Sequence, residues 1–472
     1  MSLSTASTDA TLSRGLDRRF YLAAWRWHFY AGLFVAPFMI ILAITGMMMM
    51  LIGYFDGREG EKITISVPQA AQALSLEDQS ALALQDFPGA TLVEWIKAPA
   101  PDRVNVFRIK QAEGGQTMVA LDPYTGEIVE TWRRRDGWYD LADTIHGDLL
   151  LGTPGDRILE IAAGFGIILI LTGLYMWWPR ERSLLASLTP FLRGPTREVL
   201  KSLHVTIGAA LSIVLLLFLL SGMSWTGVWG SKLVQAWSTF PAQKWDNVPL
   251  SDETHAAMNH EGHKDMPWAL EQTPLPASGS DLGTAGTLEG EPVTLDTIAA
   301  LGDRLGFTSR YRIAFPKGAT GVWTLNQDTM SADAENPFAD KTVHVDQYTG
   351  KVLVDVRFAD YSLAGKTMAV SVPLHMGLVS VWNLAFNTLF CLAMVFLSLS
   401  GVAMWWLRRP KKMAARLFAP QVPADMPHWK NAMLLMLIVS LAFPLVGLTL
   451  ISLLVLDVLV FARIPGLRRL YA

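Results

Sequence analysis

Cysteine is almost absent from this sequence: Cys391 is the only one among 472 residues. A chain with one cysteine has no intrachain disulfide, no zinc site built from several cysteines and no C-x-x-C-H motif for covalent haem attachment. The segments predicted below to be cytoplasmic also lack the G-x-G-x-x-G fingerprint of a dinucleotide site. These absences exclude a disulfide-stabilised fold and give no sign of a nicotinamide or flavin site.

Charged residues are also scarce. Asp, Glu, Lys and Arg make up 17% of the chain, whereas 51% of the residues are hydrophobic and the mean hydropathy is +0.29. This balance favours a membrane protein with several spanning helices over a soluble protein. The lipid bilayer is therefore an expected partner, and no nucleic-acid partner is expected.

Four apolar segments are long enough to cross a bilayer, because about 20 helical residues rising about 1.5 Å each cover its hydrocarbon core. They are residues 28–54, 158–178, 204–227 and 381–407. A fifth segment, residues 432–461, contains Pro444 and Asp457 and is predicted as one kinked helix or as a hairpin of two short ones. Charge counting favours the hairpin.

Basic residues cluster in alternate connections between these segments, and the positive-inside rule places such connections in the cytoplasm. The long connections, residues 55–157 and 228–380, hold 17 and 18 of the 42 acidic residues, and we expect them in the periplasm of a bacterial cell. The N-terminus would then be cytoplasmic, and the protein would lie in the inner membrane. The predicted cytoplasmic segments are residues 1–27, 179–203, 408–431 and 462–472.

The chain resembles itself in two halves. His28 and His204 are each followed by a glycine four residues later and by a hydroxyl residue and glycine, Thr45-Gly46 or Ser221-Gly222, at 17 and 18 residues. The stretches VALDPYTGEIV from Val119 and VHVDQYTGKVL from Val343 each predict a hairpin with a D-x-Y-T-G turn. The repeat predicts an internal duplication in which helix, outer domain and helix occur twice.

Each outer domain is predicted to combine one helix with an antiparallel sheet. The first covers about residues 60–137, and residues 292–356 repeat its plan. Residues 240–290 form a Pro-, Gly-, Ser- and Thr-rich insertion in the second half, for which we expect an irregular or mobile loop.

Four histidines recur at matched places. His28 and His204 are predicted at the cytoplasmic ends of their helices, whereas His146 and His375 precede their helices at the periplasmic face. A single histidine at a membrane boundary is more often an interfacial or hydrogen-bonding residue. Because interfacial residues need no matched spacing, recurrence favours ligation of two haem b groups, one between His28 and His204 and one between His146 and His375.

Small residues accompany both predicted haem levels. The glycine of each Ser/Thr-Gly step would let a flat macrocycle or a neighbouring backbone approach closely, although such steps are also ordinary helix-packing devices. The four glycines are Gly46, Gly173, Gly222 and Gly401.

A second group of histidines lies in the insertion, within THAAMNHEGHKDM. Its nitrogen and sulphur donors are candidate ligands for copper, iron or zinc, but the spacing matches no defined site, and a solvated loop is the alternative. His344 is interpreted as a strand-face residue and His428 as interfacial. The candidate ligands are His255, Met258, His260, His263 and Met266.

The H-x3-G helices, the D-x-Y-T-G hairpins and the helix ends TGLYMWW and SGVAMWW together resemble the PepSY-associated transmembrane family, over residues 18–462. The resemblance implies an α-helical polytopic membrane protein with two periplasmic α+β PepSY-like domains. It also implies a di-haem b ferric-siderophore reductase of the bacterial inner membrane, with His28, His146, His204 and His375 at the family's ligand positions.

The expected function is therefore electron transfer across the membrane to periplasmic Fe(III), chelated by a siderophore or another ligand. The electron donor, a quinol or a cytoplasmic reductase, is left open by the sequence. Two alternatives remain: a non-catalytic membrane module that binds a periplasmic partner, and a reductase or transporter for another metal such as copper.

Overall fold

The computed structural model describes residues 3–69, 72–179, 183–234, 242–259, 266–409, 420, 430–456 and 459. The predicted tail 462–472 and the histidines His260, His263 and His428 lie outside these ranges. The chain divides into two compact units. We call residues 1–46, 144–233 and 388–472 the helical unit, and residues 47–143 and 234–387 the sheet unit.

The described residues form eleven α-helices and ten β-strands. In chain order the helices are α1 Leu3–Phe55, α2 Leu76–Leu84, α3 Trp138–Asp148, α4 Thr153–Trp177, α5 Leu184–Ser187, α6 Thr196–Met223, α7 Leu295–Arg304, α8 Leu363–Met376, α9 Val381–Arg408, α10 Lys430–Ala442 and α11 Pro444–Leu456. The strands are β1 Thr91–Ile96, β2 Asn105–Lys110, β3 Gln116–Leu121, β4 Ile128–Arg133, β5 Leu250–Thr254, β6 Pro274–Pro276, β7 Arg312–Ala314, β8 Val322–Gln327, β9 Lys341–Asp346 and β10 Val352–Arg357.

Four of these helices are long and apolar enough to cross a membrane: Arg18–Phe55 within α1, and the whole of α4, α6 and α9. They overlap the four apolar segments predicted from the sequence, although α4 ends at Trp177 and α6 at Met223, before the predicted ends at residues 178 and 227. Their outward side chains are apolar, as a lipid-facing surface requires; Ile213 is 74% exposed and Leu389 67%. The protein is therefore of the membrane type.

The C-terminal apolar segment consists of α10 and α11, which are separated by Phe443 alone. The Phe443 nitrogen donates to the Val439 carbonyl at 2.9 Å, and the Gly447 nitrogen donates to the Phe443 carbonyl at 3.1 Å. Pro444 has no N–H to donate at this point. A Cβ atom on Gly447 would nevertheless lie 2.9 Å from the Ser440 Cβ, whereas residues seven apart in a continuous helix are separated by about 10 Å. The chain therefore turns back sharply at this point, and Val439 of α10 packs with Val446 of α11 in one apolar cluster.

Helix α6 ends in a loop that is held by carboxylates of α4. The backbone nitrogens of Val228 and Trp229 both donate to Glu160 at 3.2 Å, and the Gly227 nitrogen donates to Asp156 at 3.1 Å. Glu160 is only 1% exposed. A buried carboxylate inside an apolar helix needs such donors, so Glu160 has a structural role here.

The sheet unit contains one antiparallel sheet of eight strands in the order β10-β9-β8-β7-β1-β2-β3-β4. Its two four-stranded halves join where β1 pairs with β7, with Glu94 opposite Ala314 and Ile96 opposite Arg312. The sequence predicted two separate domains within residues 55–157 and 228–380. They share one sheet instead, because each half has an edge strand whose backbone groups can pair with the other.

Both predicted hairpins are present, as β3–β4 and β9–β10. In each D-x-Y-T-G turn the aspartate side chain accepts a backbone hydrogen bond. The Tyr124 nitrogen donates to Asp122 at 2.8 Å, and the Tyr348 nitrogen donates to Asp346 at 2.8 Å. The final glycine has positive φ, +74° at Gly126 and +65° at Gly350. These residue types favour such turns, and the motif therefore located them correctly.

Helices α2 and α7 cover one face of the sheet. Its alternating apolar side chains, among them Phe107, Val119, Val343 and Val345, pack in one core with Ile298 of α7. Alternation directs the intervening residues of each strand to the opposite face. His344, between Val343 and Val345, is one of them.

The opposite face of the sheet carries a network of buried charges. Arg312 contacts Glu59 at 2.7 Å and Asp333 at 2.8 Å, and Arg310 contacts Asp333 at 3.0 Å. Burial would raise the pKa of Glu59, but Arg312 and its neighbouring arginines hold that pKa well below its usual value. The network links residues just after α1 to strand β7.

The described part of the insertion packs on the sheet. Within its described residues β5 pairs with β6, and a 3-10 turn covers His255–Met258. The Gly279 nitrogen donates to Asp346 at 2.7 Å, and Leu270 is fully buried against Val354 and Val356 of the sheet. The described residues have little regular structure, as expected of an irregular loop, but their apolar side chains pack on the sheet.

Candidate functional site

His28 of α1 is held by the Thr172-Gly173 step of α4. Its Nδ1 atom lies 3.0 Å from the Thr172 hydroxyl oxygen. That hydroxyl donates to the Ile168 carbonyl at 2.7 Å. A Cβ atom placed on Gly173 would lie 3.2 Å from Cε1 of His28, so the glycine gives the ring its space.

His204 of α6 repeats this arrangement with the Ser400-Gly401 step of α9. Its Nδ1 atom lies 2.9 Å from the Ser400 hydroxyl oxygen, which donates to the Leu397 carbonyl at 3.1 Å. A Cβ atom on Gly401 would lie 3.6 Å from Cε1 of His204. The same combination of histidine, hydroxyl and glycine thus occurs in both halves of the chain.

His146 of α3 shows the arrangement a third time, with the Thr45-Gly46 step of α1. Its Nδ1 atom lies 2.9 Å from the Thr45 hydroxyl oxygen, and that hydroxyl donates to the Ile41 carbonyl at 2.8 Å. A Cβ atom on Gly46 would lie 3.2 Å from Cε1 of His146. The sequence predicted these residues but not that each step would contact a histidine.

These hydrogen bonds assign the tautomer of the three imidazoles. A serine or threonine hydroxyl has one proton, and in all three cases it is directed to a backbone carbonyl three or four residues earlier. The hydroxyl oxygen therefore accepts from the Nδ1–H group. Nε2 is then left with a lone pair, as metal ligation requires.

The rings of His28 and His204 lie near each other in the helical unit. Their centroids are 6.4 Å apart and their planes meet at 81°. With metal–nitrogen bonds of about 2.0 Å and a ring centre about 1.1 Å from its nitrogen, two imidazoles on opposite sides of one metal have centroids about 6 Å apart. The donor set, tautomers and spacing thus fit a bis-histidine haem.

His375 lies in α8, within the sheet unit, and its carbonyl accepts from the Asn387 side chain at 3.0 Å. Ser221 of α6 donates its hydroxyl proton to the Leu217 carbonyl at 2.8 Å, as the other three hydroxyls do to theirs. The predicted pairing of His375 with His146 and the predicted role of Gly222 stay predictions from the sequence.

The candidate metal ligands of the insertion are only partly described. His255 and Met258 lie in the 3-10 turn, Met266 is buried, and His260 and His263 fall outside the described residues. Within the described ranges, no three or more histidine, cysteine or carboxylate side chains form a group that could hold a metal ion.

His255 instead contacts His344 of β9, with the two Nε2 atoms 2.8 Å apart. No sequence motif indicated this contact, which joins residues 89 positions apart. The contact forms because the insertion packs on the sheet and places His255 against β9.

Comparison with known proteins identifies the family. The sequence profile of the family described as PepSY-associated TM region matches residues 25–408, which is more than half of the chain. The chain therefore belongs to this family, as the motifs indicated. No curated protein matched the chain.

Proposed function

We propose that this PepSY-associated membrane protein is an inner-membrane oxidoreductase that holds two b-type haems and passes electrons to Fe(III) on the periplasmic side. The observation that supports it most is the threefold recurrence of a histidine whose Nδ1 is held by a hydroxyl and whose ring packs on a glycine. A purely interfacial histidine needs neither the fixed tautomer nor the adjacent glycine.

His28 and His204 would supply the axial nitrogens of the cytoplasmic haem, and His146 and His375 those of the periplasmic one. Bound haem b supplies one-electron transfer, and two imidazole ligands favour that role over oxygen chemistry. The hydroxyls of Thr172, Ser400 and Thr45 fix the orientation of their imidazoles and make Nε2 a stronger donor. No acid, base or nucleophile of the chain takes part.

The direction of transfer follows from the predicted topology, in which the arginine-rich flanks are cytoplasmic. One electron from a quinol or a cytoplasmic reductase would reduce one Fe(III) to Fe(II) at the outer face. Siderophores bind Fe(II) less tightly than Fe(III), so reduction would release the iron for uptake. A siderophore as the chelator is implied by the family resemblance.

Optical spectroscopy tests the proposal. The full-length protein would be purified from haem-replete cells, and spectra would be recorded as oxidised and after dithionite, with a pyridine haemochrome count. We expect about two haems b per chain, as two bis-histidine pairs imply, and spectral reoxidation of the reduced protein by a ferric siderophore. Folded protein that is purified from haem-replete cells and contains no haem would contradict the proposal. It would favour the non-catalytic partner-binding module.

A further inference from the structure

His255 and His344 have no part in the proposed electron transfer, yet both are fully buried in the sheet unit. Their Nε2 atoms face each other at 2.8 Å, with ring centroids 4.9 Å apart. The Nδ1 atom of His255 lies 3.0 Å from the Thr273 carbonyl oxygen, and that of His344 lies 3.0 Å from the Thr324 hydroxyl oxygen. All four ring nitrogens therefore have a polar neighbour.

The hydrogen-bond partners assign one tautomer to each ring. A carbonyl only accepts, so His255 carries its proton on Nδ1 and presents a lone pair at Nε2. His344 must then donate from Nε2, and its Nδ1 accepts from the Thr324 hydroxyl. A second acceptor, the Met258 sulphur, lies 4.0 Å from the Thr324 oxygen.

The first half of the sheet shows that the fold does not need a histidine at this place. In the aligned stretches VALDPYTG and VHVDQYTG, Ala120 of β3 corresponds to His344 of β9. Ala120 is fully buried among apolar side chains, including Met118 and Val106. The second half thus has both an added histidine on the sheet and an insertion that places His255 against it.

We propose that His255 and His344 form a binding site for one Cu(I) ion between their Nε2 atoms. Two neutral imidazoles and a neighbouring thioether in an apolar interior suit a soft monovalent ion. The outer nitrogen of His255 donates to a backbone carbonyl, the arrangement that orients metal-bound histidines. The site is independent of the haem proposal.

Ion binding requires one proton to move within the site. The Nε2 proton of His344 is replaced by the metal and appears on Nδ1, which then donates to the Thr324 oxygen. The Thr324 hydroxyl turns its own proton towards Met258. No proton is released and no electron is transferred, so the site gains one positive charge.

The geometry selects against divalent ions with higher coordination numbers. Linear two-coordinate binding needs nitrogens about 4 Å apart, from two bonds of about 2.0 Å, so the rings would separate by about 1 Å. Zinc usually takes four ligands, and the described residues offer no third histidine, cysteine or carboxylate with this pair. Two nitrogens suffice for Cu(I).

Metal loading of the full-length protein tests the site. Chelator-treated protein in detergent would be dialysed against Cu(I) under anaerobic conditions, or against Ag(I) as a redox-inert probe, and bound metal would be measured by mass spectrometry. The central variant is His344→Ala, which reproduces the residue of the first half at Ala120. The matched control is the double variant His260→Ala/His263→Ala, which alters the other histidines of the insertion.

We expect about one Cu(I) per chain in the parent protein and in the control, and at least a tenfold weaker affinity in His344→Ala, as the loss of one of two ligands implies. X-ray absorption of the parent protein should show two imidazole nitrogens at about 2 Å, which keeps the test valid should the variant not fold. A parent protein without bound Cu(I), or loss of binding in the control but not in His344→Ala, would overturn the proposal.

Discussion

The imidazole rings of His28 and His204 lie nearly perpendicular, with centroids 6.4 Å apart, on two different helices of the helical unit. Each ring is held by a hydroxyl on a third or fourth helix, so α1, α4, α6 and α9 all contribute to one place. The His28→Ala and His204→Ala variants should therefore have the same effect. Both should lower the pyridine haemochrome count from about two haems per chain to about one, since a bis-histidine site needs both ligands.

The matched control for these variants is His428→Ala, a histidine interpreted as interfacial, which should keep both haems. A count that stays at two in His28→Ala, in protein that is folded by its thermal transition, would contradict the assignment of this pair.

The glycines that pack against the histidine rings should differ in how well they tolerate substitution by alanine. A Cβ atom on Gly173 would lie 3.2 Å from the His28 ring, whereas one on Gly401 would lie 3.6 Å from the His204 ring. The shorter distance, at Gly173, would force the His28 ring to move, whereas the distance at Gly401 is an ordinary van der Waals contact. Gly173→Ala should lower stability by about 1–3 kcal/mol through overpacking, and Gly401→Ala by less. Thermal melting and haem content measure this; equal effects of the two variants would count against the packing argument.

The Thr45 hydroxyl tests whether the hydrogen bond to His146 matters. Thr45→Val nearly preserves the shape of the side chain but removes the acceptor 2.9 Å from Nδ1, whereas Thr45→Ser keeps it. An imidazole that donates from Nδ1 binds through Nε2 more strongly, and loss of such a partner typically weakens metal binding about 10–100-fold. We expect weaker haem retention and a more positive midpoint potential in Thr45→Val only. Redox titration would contradict this if valine and serine behaved alike.

Much of the architecture was predictable because its signals are local. Twenty or more apolar residues fix a spanning helix, and a D-x-Y-T-G turn fixes a hairpin, whatever the rest of the chain does. The pairing of Glu94 with Ala314 was not predictable, since any exposed edge strand offers the same backbone groups. The contact between His255 and His344 was missed for a similar reason: it depends on how the insertion packs.

The haem-ligand candidates could be predicted from the sequence only in part. Matched spacing located the histidines and the Ser/Thr-Gly steps, but helical periodicity alone does not say which step contacts which histidine. That answer depends on which helices are neighbours, and here α1 contacts α4 at His28 while α6 contacts α9 at His204. Neighbouring helices are set by tertiary packing.

A pH-dependent stability change is expected from Asp340. Burial, together with the nearby Asp328, raises the pKa of Asp340 to about 8, although the Thr329 nitrogen and hydroxyl donate to it at 3.1 Å. The unfolded value is about 3.9, so the folded protein retains a proton that the unfolded chain loses. The contribution of this group to stability therefore falls as the pH rises from about 4 to about 8.

Asp340→Asn should accordingly raise the melting temperature more at pH 8 than at pH 5, because asparagine stays neutral and still accepts from Thr329. Asp303→Asn is the control, since Asp303 is exposed and pairs with Lys97 at 3.0 Å. A gain for Asp340→Asn that is the same at both pH values would contradict the raised pKa.

The buried charges on the sheet face opposite α2 and α7 should contribute strongly to stability. Arg312 contacts Glu59 at 2.7 Å and Asp333 at 2.8 Å, with its own side chain 8% exposed. Removal of one partner from a buried ion pair leaves an uncompensated charge, which typically costs about 3–5 kcal/mol. Arg312→Met should therefore lower the melting temperature strongly. Arg103→Met, which breaks the more exposed pair with Asp102 at 3.5 Å, should cost about 1 kcal/mol or less. Similar melting temperatures for the two variants would show that the network is dispensable, and the link it makes between the residues after α1 and strand β7 would then lose its structural role.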